Sequence, residues 1–378
     1  MRIASPRARG EDRWHFVVPA MSVSEAMVTG RIRMRLFRLR PLTLGCRLAA
    51  PTTESSRPSP RVRGEGIAGM ARAGALALAL FASPALADEA LVTAQGANIL
   101  AVVDLDTQVV TAQIPVDGAP AGIALSPDRK TAYVTRPEGH GLAIVDLDAR
   151  AVTGTLALPG GPLGVAVNPK SGAVYVADWY GSRIFVVSAD GSKIETEIQV
   201  GASPSGIAVT PDGATILVAN REGNSVSVVD AATATETVKI PVGEHPFGIT
   251  LDETGTRAYT ANVMSNDVSV IDVAERREFG RVTTGERPYV VALTATRGFV
   301  TDQYSNTVTV FNLKTLTNVA AIEVGDHPEG IAASRDGSLL YVTNWGSNTL
   351  GVIDATTLKV IKDIPVPDGP RSFGDFLR

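Results

Sequence analysis

Short apolar runs rich in Val, Ile, Thr and Tyr recur along residues 88–378, each closed by a cluster of Gly, Pro, Asn or Asp. β-branched and aromatic residues bounded by turn formers predict strands rather than helices. The stretch that begins at Pro204 predicts four strands, at 206–209, 215–219, 225–230 and 236–240. The turns between them are Pro211-Asp212-Gly213, Glu222-Gly223-Asn224 and Ala231-Ala232-Thr233. Apolar residues occupy both faces of the first three strands, as expected of a sheet covered on each side by copies of itself.

The pattern is a repeat. Its anchoring proline recurs at Pro120, Pro162, Pro204, Pro246, Pro288, Pro328 and Pro370, at intervals of 42, 42, 42, 42, 40 and 42 residues. The short interval lies in the unit of Pro288, where Ala292 to Phe299 lacks the Pro-Asp-Gly turn of its neighbours. Two residues are missing from one hairpin and the rest keeps register. At the N-terminal end, Leu91-Val92-Thr93-Ala94 matches a second strand and 99–104 a third, with no first strand before them. At the other end, 370–376 supplies a lone first strand. Six complete units and one split between the termini make seven. A split unit closes a ring and removes exposed sheet edges, whereas an open solenoid needs capping units at both ends, and none is visible. The chain is therefore expected to be all-β: a seven-bladed β-propeller of four-stranded blades, closed by pairing of its N- and C-terminal strands in one split blade.

The clearest unit reads Pro328-Glu329-Gly330-Ile331-Ala332, then Tyr341-Val342-Thr343-Asn344, Gly346-Ser347-Asn348 and Ile353-Asp354. It resembles the YVTN-repeat β-propeller family, which includes periplasmic YncE-like proteins, over about residues 89–376. The ending Gly369-Pro370-Arg371-Ser372-Phe373-Gly374-Asp375-Phe376 resembles a subgroup associated with periplasmic, quinone-cofactor-dependent alcohol catabolism. The resemblance implies a binding or accessory protein, since the family mostly lacks assigned catalysis.

Residues 1–69 differ from the repeats. They hold 13 Arg, no Lys and five acids, with no sustained apolar periodicity. Met70-Ala71-Arg72, an apolar stretch from Ala73 to Leu86 and Ala85-Leu86-Ala87 then describe a secretory signal peptide. Met70 is accordingly read as the initiator, 1–69 as an upstream extension or a disordered basic segment, 70–87 as the leader cleaved after Ala87, and 88–378 as an exported, periplasmic propeller. No apolar run reaches the ~18 residues that span a bilayer. Residues 88–378 carry 21 basic and 34 acidic side chains, a net charge near −13, which disfavours nucleic acid, whose affinity comes from neutralised phosphates. Cys46 is the only cysteine, so 88–378 offers no disulfide, cysteine metal site or haem attachment.

In a propeller the loop before each first strand and the loop between strands two and three open on one face, so the residues flanking each proline form rings around a channel mouth. The rings are asymmetric. Consecutive units contribute His245 and Phe247, Arg287 and Tyr289, His327 and Glu329, then Arg371, while the other side is Ala, Gly, Ser and Leu. With Trp179, Arg221 and Trp345 from the second loop, these are the candidate ligand- or partner-binding residues. The bland reading is that the tryptophans pack over strand ends and the repeated Asn and Asp cap their own turns.

His245 and His327 with Arg287 between them do not make a metal site, and no cofactor is called for. A dyad of His327 with Glu329 would be the one catalytic pairing. The function expected is a non-catalytic, monomeric binding or accessory propeller for a protein partner or small molecule. The alternatives are a lactonase-like or quinone-linked dehydrogenase-accessory enzyme, and single-stranded nucleic-acid binding.

Overall fold

A computed structural model describes residues 88–378, so the expected upstream extension at 1–69 and leader at 70–87 lie outside the described residues. Seven sheets, antiparallel but for one short C-terminal pairing, follow one another along the described residues. Blade 1 holds strands Gly122–Leu125, Thr131–Arg136, Gly141–Asp146 and Ala151–Ala157. Blades 2 to 6 start at the prolines of strands Pro162–Val167, Pro204–Val209, Pro246–Leu251, Pro288–Leu293 and Pro328–Ala333. Blade 7 holds Glu89–Ala94, Ile99–Asp104 and Val109–Pro115, joined by the C-terminal segment. The chain folds as a seven-bladed β-propeller. Among the described residues no helix is long and apolar enough to cross a membrane.

The strands of blade 3 are Pro204–Val209, Thr215–Asn220, Ser225–Asp230 and Thr235–Pro241, within two residues of the sequence expectation. Its second and third strands are almost wholly buried, whereas the fourth alternates exposed and half-buried positions until Ile240 tucks inward. The fourth strand is the outer edge of the blade and has one wet face. In blade 5 the shortened hairpin closes at Thr294, whose amide donates to the Arg297 carbonyl at 2.9 Å.

Two residues of the repeat unite adjacent blades. The glycine two places after the proline sits where a side chain has no room. A Cβ at Gly164 would fall 1.8 Å from the Ser205 carbonyl oxygen, and one at Gly248 2.5 Å from that of Tyr289. The threonine of the YVTN-like strand is a strut. Thr135 Oγ1 accepts from the Gly122 amide at 2.8 Å and donates to the Leu163 carbonyl of the next blade at 2.7 Å. Thr301 and Thr343 repeat this with the Glu329 and Arg371 carbonyls, both at 2.7 Å, and Thr93 with that of Ala121 at 2.8 Å. Where blade 3 has Ala219 instead, the Ser205 hydroxyl reaches the Phe247 carbonyl at 3.0 Å.

The ring closes in blade 7. Bridges pair Ala94 with Pro370 and Ala90 with Leu377, and the Leu91 amide donates to the Phe376 carbonyl at 2.8 Å. Arg378 clasps the seam by pairing with Glu89 at 3.4 Å and with Asp148. This first strand is less regular than its six counterparts. The two bridges set 371–376 against 91–93, and the surplus bulges into the channel. There Phe373 and Gly374 pair in parallel with Gly122 and Ile123 of blade 1.

Candidate functional site

The upper face is built on asparagines in the loops between second and third strands. Each binds the backbone of the following blade. The Oδ1 atoms of Asn224, Asn266 and Asn306 accept from the amides of His245, Arg287 and His327, all at 2.9 Å. Those three residues precede prolines and take the left-handed conformation, with φ of 55°, 55° and 52°. Such a backbone is unfavourable for a non-glycine residue. The asparagine holds it, and with it the direction in which the side chain leaves.

The residues after the prolines form an inner layer that closes the channel. Phe247 meets Tyr289 with ring centroids 4.5 Å apart, Phe373 at 5.0 Å and Trp179 at 6.3 Å. Leu163 and Ala121 join the same cluster from the opposite side of the ring. Beside it lies a buried polar network. Arg371 Nε donates to Glu329 Oε2 at 2.6 Å, and Gln303 Nε2 donates to Glu329 Oε1 at 2.8 Å. Burial, and after it the Glu329 charge, pushes the Tyr289 hydroxyl up to about 12.

The outer layer is exposed. The Arg287 guanidinium lies 4.5 Å from the Tyr304 ring centroid, Tyr304 meets the His327 ring edge-on at 5.9 Å, and His327 meets Trp345 at 6.2 Å. Tyr304 is 47% and Trp345 42% exposed. A smaller group sits on blades 2 to 4. Arg221 lies 5.5 Å over Trp179, and His245 Nε2 is 3.6 Å from Glu222. Burial first, then the Arg221 charge, lowers the pKa of His245.

The ten candidates thus fall into two layers. His327, Trp345, Arg287, His245 and Trp179 reach or border the open face, while Phe247, Tyr289, Glu329 and Arg371 form its floor, and Arg221 is buried against Trp179. Glu329 turns to Gln303 and Arg371 while His327 packs between Tyr304 and Trp345, so the two do not form a dyad. Gln303 and Phe373 joined the floor without being singled out. Phe373 stands where other blades carry Ile or Val, and that break in the repeat was the available signal.

The repeated Asn and Asp at the ends of the second strands serve their own loops. Asn220 accepts from the Gly201 amide at 3.0 Å and donates to Ser227 Oγ at 2.8 Å. Asp178 accepts from Gly161 and pairs with Arg183 at 3.0 Å. Asp302 accepts from Thr309 at 2.7 Å and Thr307 at 2.9 Å, and burial raises its pKa to about 6. Among the described residues no three His, Cys, Asp or Glu side chains converge as a metal would require.

Comparison with known proteins agrees with this architecture. Residues 192–292 match the family described as lactonase, 7-bladed beta-propeller, and residues 160–187 match the NHL repeat. The chain is a β-propeller by sequence as well as by fold. No curated protein matches it. Among solved structures it is similar to Kuenenia stuttgartiensis hydrazine synthase, with a TM-score of 0.62 and 23% identity over 68% of this chain and 89% of that one. A functionally unknown protein from Desulfotomaculum acetoxidans superposes with a TM-score of 0.67 and 19% identity, over 76% of this chain and 99% of its own. The dihydro-heme d1 dehydrogenase NirN, in complex with DHE, gives 0.58 and 15% identity over 75% and 74%. At these identities the likeness is one of fold.

Proposed function

We propose that the protein is a non-catalytic binding propeller that docks a protein partner on its upper face. The observation that carries this reading is the run Arg287–Tyr304–His327–Trp345, half-buried at Arg287 and exposed at the three rings, spread over the loops of adjacent blades above a closed floor. Aromatic and Arg side chains held rigidly at a surface are the usual energetic anchors of an interface. A packed floor suits an inserted loop or flat surface better than an engulfed small molecule. The leader pattern of 70–87 and the cysteine-free sequence of 88–378 support a periplasmic setting for that partner. The test is affinity purification from periplasm with wild-type bait and with Tyr304→Ala/Trp345→Ala bait. The proposal requires a partner that the double variant loses. Equal recovery by both baits would sink it.

The match of residues 192–292 favours a second reading, a lactonase-like hydrolase. A metal of the kind such chemistry uses does not fit the residues of this floor, where Glu329 is the one carboxylate after a proline and is neutralised by Arg371. Turnover in a panel of lactones, abolished by EDTA and restored by calcium or zinc, would replace the binding reading with this one.

A further inference from the structure

The floor divides the channel, and its lower half opens on the opposite face. That half is a cavity of about 430 Å³, within the range of small-molecule sites. Its walls are the innermost strands of blades 1 to 6, with Val165, Ile207, Ile249, Val291, Ile331 and Phe373 among the lining residues. Among the described residues Thr250 is the one uncharged polar side chain there, and its hydroxyl already donates to the Val291 carbonyl at 2.7 Å. Among the described residues the charged lining side chains are Glu253, on the hairpin turn at the mouth, and Asp375.

Asp375 is in the channel because of the C-terminal bulge. Phe373 and Gly374 leave blade 7 to pair with Gly122 and Ile123, and Gly374 takes φ of 124°, which turns the chain back toward Phe376. No other blade has such an insertion. Surrounding protein raises the Asp375 pKa while Arg129 pulls it down. The Arg129 contact is loose: Nη2 stands 3.5 Å from one carboxylate oxygen, and 52% of the Asp375 side chain remains accessible. Arg129 is also committed to the Leu377 carbonyl through Nη1. A pair this exposed is weakly held, so a better-placed cation can displace it.

We propose that this lower half of the channel binds a small organic ammonium compound, its apolar body against the aliphatic walls and its charged head on Asp375. Carboxylate and phosphate ligands are disfavoured, since each would bring like charge to Asp375 and Glu253. The site is separate from the upper face and does not rest on the docking reading.

Hexylamine, hexan-1-ol and hexanoate are the probes, titrated calorimetrically into the wild-type protein, with methyl NMR of Ile207, Ile249 and Ile331 followed in parallel. The proposal requires hexylamine to bind roughly tenfold or more tighter than the alcohol, as one charge-assisted contact provides, with shifts at those isoleucines. Asp375→Asn should bring the amine to the affinity of the alcohol, and Glu253→Gln, on an exposed turn, should weaken it less. Trp345→Ala should leave the titration unchanged. Equal affinity for amine and alcohol, preference for hexanoate, or no isoleucine shifts would each overturn the proposal. The wild-type titration decides it even if Asp375→Asn does not fold.

Discussion

Asp302 occupies the position that blades 3, 4 and 6 fill with Asn220, Asn262 and Asn344, and it is as fully buried as they are. Burial raises its carboxyl from 3.8 to about 6. The folded pKa lies above the unfolded one, so ionised Asp302 opposes folding. The cost is absent below about pH 4, grows between pH 4 and 6, and is complete above 6. A shift of this size corresponds to at most about 3 kcal/mol. Asp302→Asn removes the charge and gains an amide whose hydrogens suit the Thr307 and Thr309 hydroxyls. Blade 3 shows the geometry, since Asn220 Nδ2 donates to Ser225 and Ser227 at the equivalent places. The variant should gain about 2–3 kcal/mol at pH 7.5, or roughly 4–6 °C in Tm at about 2 °C per kcal/mol, and almost nothing at pH 4. The assay is a pair of urea titrations of each protein at the two pH values. The difference between proteins matters, because surface carboxylates such as Asp190 and Asp336, held near 2 by hydrogen bonds from neighbouring serines, act oppositely in both proteins. Their contribution is lost only as pH falls toward 2. An equal gain at both pH values, or a loss at pH 7.5, would refute the argument that desolvation of this carboxylate is the dominant effect.

Three further outcomes follow from the contacts. Arg371→Met should destabilise by about 3–5 kcal/mol by stranding the Glu329 charge, and adding Glu329→Gln should restore much of this in a chemical melt. Thr135→Val leaves the Gly122 amide and Leu163 carbonyl unpaired and should cost about 2 kcal/mol, whereas Thr153→Val, which removes a single 3.3 Å bond at an exposed fourth-strand position, should stay within about 0.5 kcal/mol. Deleting 370–378 removes the innermost strand of blade 7 and bares the edge of Glu89–Ala94, so size-exclusion chromatography should show association in place of a single compact species.

Much of the ring was legible because propeller geometry repeats with the sequence. Pro162, Pro204 and Pro246 mark first strands, and the missing turn before Arg297 shortens one hairpin and nothing else. The depth of the candidate residues was not legible. His245 and Phe247 are separated by one proline, yet one borders the open face and the other fills the channel. Position in the repeat fixes where a side chain starts. Whether it meets a partner across the axis depends on its length and on what the opposite blades contribute. Ala121 and Leu163 leave the room that Phe247, Tyr289 and Phe373 take. The bulge at 373–375 was equally hidden, since Gly374-Asp375 reads as an ordinary turn until the pairings on either side are known.

The seam has a kinetic consequence. Thr135 meets Leu163 across 28 residues, a separation typical of neighbouring blades, whereas the hydrogen bond from Thr93 to Ser372 spans 279. By the logarithmic dependence of loop closure on length, joining the seam costs about 2 kcal/mol more entropy than joining two adjacent blades. Neighbouring blades can therefore assemble as a curved stack in any order, and the joining of 370–377 to 89–94 is the late event of folding. The same seam is the place where the ring opens first, and the amides of Leu91 and Arg371 should exchange with solvent ahead of those that tie blades 3 and 4 together.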